Sequence, residues 1–238
     1  MPASAPRVKP LFSRLLKHFG PQHWWPAQSA WEMMVGAILT QNTAWTNVEK
    51  ALAALKQAKV LSIRSMATMP RTRLARLIRS SGYFRQKAER LQGFARTMRK
   101  DPVFFRALTR GSPVGRPCPL PVEGEGGRRP GEGLSRLRQR LLSLHGIGPE
   151  TADSILLYAG GYPVFVVDAY TRRIGQRIGL FKTDDYHDVQ AFFQDRCAPT
   201  IYNEFHALLV ALGKNLCTSR HPRCGVCPVS GLCERIGV

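Results

Sequence analysis

The fold of this chain is decided by one stretch, Leu141-Leu142-Ser143-Leu144-His145-Gly146-Ile147-Gly148-Pro149-Glu150-Thr151-Ala152. An apolar helical run ends in Gly-Ile-Gly, and a second helix begins at once with Pro149 in its first turn, where a missing N–H costs nothing. The two glycines allow a tight turn and a close approach of the backbone to a ligand. Because the second helix directs its free N–H groups toward the same place, the pattern predicts an anion site at the turn.

A single carboxylate follows this turn. The short apolar run Val164 to Val167 ends at Asp168, eighteen residues after Glu150. An anion site followed by a single aspartate suggests chemistry on a nucleotide. The residues alone leave a second interpretation equally open, in which Asp168 is the N-cap of a helix that starts at Ala169. The two interpretations are compatible, since a helix end could hold a reactive carboxylate in place.

The charge balance indicates a polyanionic partner. Lys and Arg total 35 against 16 Asp and Glu, a formal net charge of +19 over 238 residues. Such an excess favours a nucleic-acid partner. No run of 18 apolar residues occurs and the first residues lack the pattern of a signal peptide, so we expect no membrane partner and a cytoplasmic, nucleoid-associated monomer.

Four cysteines form the pattern C-x6-C-x2-C-x5-C, at Cys217, Cys224, Cys227 and Cys233. Four thiolates within 17 residues of a chain in a reducing compartment predict a metal site rather than two disulfides. Zinc and iron–sulfur clusters both accept four thiolates, so the spacing alone leaves both open. Two further cysteines lie outside the pattern, Cys118 and Cys197, and we expect Cys197 to be a packed small hydrophobic residue.

Helical periodicity dominates the rest of the chain and predicts an all-α fold. Apolar residues recur at three- and four-residue spacing over 30–40, 46–57, 73–80, 86–99, 134–144 and 150–159. The β-like run Val164 to Val167 is too short for a sheet. Gly, Pro and Arg are concentrated between Gly111 and Gly133. Because such a composition buries too little apolar surface to offset the entropy lost on ordering, it predicts a mobile insertion.

Taken together, these motifs resemble the endonuclease III superfamily of DNA glycosylases, the helix–hairpin–helix enzymes. The hairpin Leu144 to Gly148, the pair Val167-Asp168 and the cysteine pattern carry the resemblance, which extends from about Trp31 to Cys233. It implies that the partner is double-stranded DNA with a damaged base. It also implies two helical lobes with a cleft between them. One lobe is a helical barrel over 29–162 that contains the helix–hairpin–helix at 141–159, and the other joins 1–28 to 163–238.

The resemblance also implies a cofactor. The cysteine spacing is that of the endonuclease III [4Fe-4S] cluster, which would staple the loop between Cys217 and Cys224. Arg220 and Arg223 lie in that loop and, together with Gly146, Ile147 and Gly148 of the hairpin, would contact DNA phosphates.

For catalysis, the resemblance assigns Asp168 to the stabilisation of the positive charge that develops on the sugar, or to the activation of water. Members that cut the DNA backbone carry a lysine two residues after the last hairpin glycine, and this chain has Glu150 there. A carboxylate cannot form a Schiff base, so we expect a monofunctional glycosylase. Lys50, Lys87 or Lys214 could supply the amine only if the fold brought one of them to the cleft.

Two residues resemble the family's DNA-inserting elements. Leu39-Thr40-Gln41-Asn42 is similar to the segment that places a glutamine in the duplex, and Gly82-Tyr83-Phe84 is similar to the opposite wedge. Gln41 would fill the hole left by the flipped base, and Tyr83 would lie beside the unpaired base. The alternatives are a polar residue at a helix end for Gln41 and a core aromatic for Tyr83.

Three tryptophans suggest a substrate class. Trp24, Trp25 and Trp45 offer indole faces, which attract cations, and an N-alkylated purine is cationic with a weak glycosidic bond. This resembles the 3-methyladenine branch of the superfamily, and the alternative is that these residues are ordinary core. Two other functions remain open, a bifunctional oxidised-pyrimidine glycosylase and AP lyase, and a non-catalytic DNA damage-binding module.

Overall fold

The computed structural model describes residues 5–112 and 130–238. Helices and loops account for all of these residues, with no β-strand among them, which confirms the all-α fold. In chain order the α-helices of these ranges are α1 (Ala5–Phe19), α2 (Ala30–Thr40), α3 (Trp45–Gln57), α4 (Ile63–Thr68), α5 (Arg71–Leu77), α6 (Phe84–Lys100), α7 (Pro102–Leu108), α8 (Pro130–Leu142), α9 (Pro149–Ser154), α10 (Ala169–Ile178), α11 (Tyr186–Gln194) and α12 (Tyr202–Asn215).

Shorter helical turns complete these elements. A π-helical segment, Ile155–Ala159, continues α9, and 3-10 turns occur at Arg79–Ser81, Pro199–Ile201, Cys224–Val226 and Ser230–Leu232. The described residues form two compact units. One is Trp25–Tyr162, and the other consists of the described residues up to Trp24 together with Pro163–Val238. Trp25 to Gln28 therefore belong to the same unit as α2, although the sequence places a boundary after residue 28.

Helix α2 is the centre of the Trp25–Tyr162 unit. Its residues from Trp31 to Leu39 are all buried, because the sequence between Trp31 and Thr40 is almost wholly apolar. Ser29 begins the helix by accepting a hydrogen bond from the backbone N–H of Glu32 at 3.1 Å. Around α2 pack α3, α6 and the π-helical segment, each of which presents an apolar face to it.

The two helices of the hairpin are joined by a buried ion pair. Arg138 of α8 donates two hydrogen bonds to Asp153 of α9, from Nε at 2.7 Å and from Nη2 at 3.0 Å. The carboxylate of Asp153 is fully buried, so this bidentate pair fixes the angle at which α8 approaches α9.

In the second unit, the run Val164 to Val167 is extended and buried without belonging to a sheet. Its backbone is satisfied by side chains instead. The N–H of Phe165 donates to Gln194 Oε1 at 3.0 Å, and its carbonyl accepts from Gln190 Nε2 at 2.7 Å. The ring of Phe165 stacks on Phe193 with centroids 4.5 Å apart. This packing delivers Asp168 to the start of α10.

Several helices differ from the periodicity analysis. Helix α1 contains Pro10, and α4 and α7 have only six and seven residues, so none of the three produced a clear periodic signal. Helix α8 begins at Pro130 rather than at 134, so it includes the last residues of the predicted Gly/Pro-rich insertion, whose mobility stays a prediction. Residues 113–129, with Cys118, lie outside the described residues. Among the helices that are described, none is long and apolar enough to cross a membrane.

We expect Arg138→Met to lower the free energy of unfolding by about 3 kcal/mol, because it leaves the carboxylate of Asp153 buried without its bidentate partner. The measurement is urea denaturation followed by circular dichroism. Arg140→Met is the matched control, since Arg140 lies two residues away on α8 and its ion pair with Asp101 is exposed. Equal losses in the two variants would contradict this account.

Candidate active site and metal centre

The hairpin turn has the geometry that the sequence predicts. Gly146 has a positive φ of +79°, and a Cβ at this position would collide with the side chain of Arg90, so only glycine fits. Ile147 is buried and anchors the turn, while Gly148 caps α9 with extended backbone and Pro149 occupies its first turn. An anion contact at this turn stays a prediction.

Gln41 follows α2 and begins the Gln41 loop, which we define as residues 41–44. Its side chain is held on the hairpin, where Nε2 donates to Gly146 O at 2.9 Å and to Thr151 Oγ1 at 3.0 Å. Its Oε1 accepts from Arg90 Nη1 at 2.6 Å. Gln41 is thus a helix-terminal polar residue in this structure, and any entry into a duplex requires these three hydrogen bonds to break.

Tyr83 begins α6 and ends the Tyr83 loop, which we define as residues 79–83. Its side chain is 67% exposed and its φ is +43°, so the interpretation as a core aromatic is wrong. A bulky residue held in the left-handed region is strained, and such strain persists where the surrounding structure fixes it. The exposed ring is available to a ligand.

Asp168 is the N-cap of α10, as one of the two sequence interpretations proposed. Its Oδ1 accepts from the backbone N–H of Thr171 at 2.7 Å. Burial raises the pKa of Asp168, but His206, whose Nε2 lies 3.6 Å from Oδ2, and the Thr171 N–H lower it by more. The net effect holds the pKa below the ordinary value for aspartate, and the group is therefore ionised at neutral pH. His206 of α12 gave no signal in the sequence.

Glu150 stands at the family's lyase position, and three lysines are the other candidates for a lyase nucleophile. Glu150 is exposed in the first turn of α9. Lys50 and Lys214 are exposed on α3 and α12. Lys87 is buried, and burial followed by the charge of Arg90 lowers its pKa to about 8. Its ammonium donates to three oxygen atoms of its own unit, so it already has structural partners.

Of the four tryptophans, Trp31 is buried in the core and stacks on Phe94, with centroids 5.8 Å apart. Trp24, Trp25 and Trp45 are half-buried, so part of each indole remains accessible, and their place in a base pocket stays a prediction. Trp25 and Trp45 form an edge-to-face pair with centroids 5.2 Å apart. Tyr158 of the π-helical segment packs on Trp25, with ring centroids 5.5 Å apart.

The cysteine segment encloses a cavity whose lining includes the sulfur-bearing residues Cys217, Cys224, Cys227 and Cys233 together with apolar side chains of α10 and α12. Burial, and then the negative charge of neighbouring cysteines, raises the pKa of Cys227 and Cys233. A cationic iron–sulfur centre offsets both effects, because a coordinating thiol loses its proton. Because a four-iron cluster would take one thiolate at each iron atom, its four ligands have to surround a cavity. The four cysteines do so, and they therefore fit the group.

Arg177 holds this segment in place. It is buried on α10, and its guanidinium donates to Thr218 O at 2.7 Å, to Ser219 O at 2.9 Å and to Cys217 Sγ at 3.4 Å. The loop that follows Cys217 is therefore shaped by protein contacts as well as by the cluster. Arg220 and Arg223 are exposed on this loop, and their contact with phosphates stays a prediction.

Comparisons with known proteins agree with these features. The family model described as HhH-GPD superfamily base excision DNA repair protein matches residues 35–199, and the iron–sulfur binding domain of endonuclease III matches residues 217–233. A Methanocaldococcus jannaschii protein with the provisional name DNA repair glycosylase is 35% identical over 230 residues, which is 94% of each chain.

Two solved structures are similar to the whole chain. The Helicobacter pylori 3-methyladenine DNA glycosylase bound to 1,N6-ethenoadenine has a TM-score of 0.69 and 29% identity, covering 89% of this chain and 97% of that one. A non-covalent endonuclease III–DNA complex has a TM-score of 0.77 at 21% identity, covering 97% and 95%, and shows the shared fold. The expected resemblance and the [4Fe-4S] cofactor are confirmed.

We expect Cys227→Ser to abolish iron and sulfide binding and to lower the melting temperature, because lost ligation is lost folding free energy. The measurement combines iron and sulfide analysis with the visible absorbance of the purified protein. Cys197→Ser is the control, since Cys197 lies outside the cavity lining. A colourless protein that folds with stoichiometric zinc would contradict the assignment.

Proposed function

The chain belongs to the HhH-GPD superfamily of base excision DNA repair proteins, and we propose that it is a monofunctional DNA glycosylase of N-alkylated purines. As a DNA glycosylase it breaks the bond between a base and its deoxyribose. The observation that carries the finer proposal is the capped carboxylate of Asp168, which is ionised. In the sequence, a second carboxylate, Glu150, stands where a lyase has its amine.

Asp168 supports the reaction through its charge. Cleavage of the glycosidic bond builds positive charge on the sugar, and a fixed carboxylate stabilises that charge without having to reorganise. The Thr171 N–H and the nearby His206 ring keep Asp168 ionised and fix its orientation. Either Oδ atom can also orient the water molecule that attacks the sugar and accept its proton.

We expect Asp168→Asn to slow base release by about a hundredfold or more, because it removes the charge and keeps the size. Asparagine is also a good N-cap, so α10 and the binding of abasic duplex remain. Asp168→Ala is the matched variant, since it loses the cap as well and should cost a further ~1 kcal/mol of stability. Single-turnover excision and thermal unfolding separate the two effects.

Full excision by Asp168→Asn would remove the residue on which the mechanism rests. If, instead, no base is released by the wild type and both proteins bind damaged duplex equally, the chain is a damage-binding module that does not need the carboxylate.

The proposal that the enzyme is monofunctional rests on where its lysine amines lie. A lyase needs a neutral amine that attacks the sugar, and Glu150 cannot provide one. Lys87 has a lowered pKa, but its ammonium is buried and donates to three oxygens of its own unit. We therefore propose that the product is an abasic site in an intact strand.

Borohydride should fail to cross-link the wild type to DNA during base release, because the chain has no amine at the hairpin position. The measurement is the fraction of labelled duplex that migrates with protein on a denaturing gel. Glu150→Lys is the companion variant, and weak trapping is expected once an amine stands at that position. Efficient trapping of the wild type would mean that another lysine attacks the sugar and that the protein is bifunctional.

The substrate proposal rests on the aromatic pair of Trp25 and Trp45. Their edge-to-face arrangement and partial exposure offer electron-rich ring surface to a flat cation. An N-alkylated purine carries that charge and has a weakened glycosidic bond, so one carboxylate suffices for its release. The similar Helicobacter pylori enzyme is named for 3-methyladenine, which supports the same class here. We propose that Trp24 contributes a further indole face.

Trp45→Ala should reduce the excision of a cationic alkylpurine by about tenfold and leave the affinity for an abasic product nearly unchanged, because stacking and cation–π contacts are made with the base alone. Trp25→Ala should act in the same way. Trp31→Phe is the control, because it removes an indole from the buried stack on Phe94 and not from the proposed base pocket. Normal alkylpurine excision by both alanine variants would refute the substrate class.

DNA engagement completes the proposal. We propose that Gln41 and Tyr83 enter the duplex, that Gly146, Ile147 and Gly148 contact the backbone, and that Arg220 and Arg223 bind phosphates. The exposure of Tyr83 and of both arginines supports these roles. The excess of 19 positive charges favours the same partner, since phosphate contacts provide most of the sequence-independent affinity.

A further inference from the structure

Lys87 is a buried lysine that the reaction does not use. It lies in the second turn of α6 and is 1% exposed. Its Nζ donates to Leu39 O at 2.8 Å, to Thr43 Oγ1 at 2.5 Å and to Ser81 O at 2.6 Å. An ammonium group has three donors, so this side chain is fully satisfied by three neutral oxygen atoms.

These oxygens come from the end of α2 and from two different loops. Leu39 O belongs to the last turn of α2, directly before the Gln41 loop, and Thr43 lies within that loop. Ser81 belongs to the Tyr83 loop. The hydroxyl of Thr43 also donates to Ser81 O, so the ammonium and the hydroxyl together bridge the two loops. A cation near the C-terminus of α2 also matches the negative end of the helix dipole.

Stability alone does not explain a charge at this position. A buried ammonium without a carboxylate among these three partners costs desolvation free energy, and a well-packed apolar side chain of similar length is often as stable. The lowering of the pKa of Lys87 to about 8 by burial is consistent with that cost. An apolar side chain could not hold three oxygens, from the end of α2 and from two loops, at fixed distances.

Both loops contain a non-glycine residue in the left-handed region. Asn42 has a φ of +51° and Tyr83 a φ of +43°. Asparagine tolerates this region, but a bulky residue such as Tyr83 is strained there and stays only where its surroundings determine the backbone. Lys87 supplies such a determinant to both loops through one atom.

We propose that Lys87 is a positioning residue that fixes the Gln41 loop and the Tyr83 loop to each other, so that both enter a damaged duplex as one unit. The inference rests on the proposed roles of Gln41 and Tyr83. Arg90, one turn further along α6, donates to Gln41 Oε1 and holds that side chain in the free protein. This bond breaks when Gln41 enters DNA, whereas the three contacts of Lys87 do not involve the Gln41 side chain.

The test uses the full protein and a duplex with a tetrahydrofuran abasic analogue opposite 2-aminopurine, whose fluorescence rises when that base is unstacked. We expect Lys87→Met to reduce the fluorescence rise about tenfold while its affinity for undamaged duplex stays within about twofold of the wild type. Tyr83→Ala should show a similar loss, and the double variant should be no worse than either single variant, because the two residues act as one unit.

Lys100→Met is the matched control, since it removes an exposed lysine from the same helix and should keep the full response. If Lys87→Met does not fold, Thr43→Val takes its place, because it removes one acceptor and one donor of the bridge and keeps the side-chain shape. A folded Lys87→Met or Thr43→Val protein with the wild-type response would overturn the inference.

The outcomes separate this inference from the proposed function. An unchanged response in Tyr83→Ala would remove the wedge, and with it the role of Lys87, while base release through Asp168 would stand. Conversely, a wild type that unstacks 2-aminopurine but releases no alkylated base would refute the proposed activity and leave the role of Lys87 intact.

Discussion

The pairing of main-chain polar groups at helix ends is the constraint on which the rest of this structure depends. Each α-helix leaves N–H groups free at its start and carbonyls free at its end, and a buried helix end must find partners for them. In this protein the partners are side chains with roles of their own. Asp168 accepts from the start of α10, Lys87 donates to the end of α2, and Arg177 donates to the backbone beyond α12.

This constraint explains how structural and functional roles share residues. Asp168 is fixed because it caps a helix. His206 and that cap lower the pKa of Asp168, so the carboxylate that we propose acts on the sugar is ionised. Gln41 binds Gly146 O, so the loop that we propose to enter DNA is also tied to the hairpin. A variant that merely weakens a cap can therefore look like a catalytic defect, and paired variants such as asparagine and alanine at Asp168 are needed to distinguish the two.

Local motifs made much of the fold and site predictable. Three motifs are each complete within a short stretch of sequence, so the sequence alone reveals them. They are the hairpin glycines, the cap at Asp168 and the spacing of the four cysteines. The contacts that the sequence did not reveal are distant along the chain. Gln41 meets Gly146 across 105 residues, Arg90 meets Gln41 across 49, and His206 lies near Asp168 from another helix. Hydrophobic periodicity carries no information about such polar pairs.

The central claim is that the protein releases a cationic alkylated purine and leaves the strand intact. It is tested most directly by excision from a panel of duplex oligonucleotides, each with one lesion, scored with and without alkali. The account predicts release from the alkylpurine duplex and strand breaks only after alkali treatment. The account would be contradicted if the protein released oxidised pyrimidines, broke the strand before alkali treatment and released no alkylpurine.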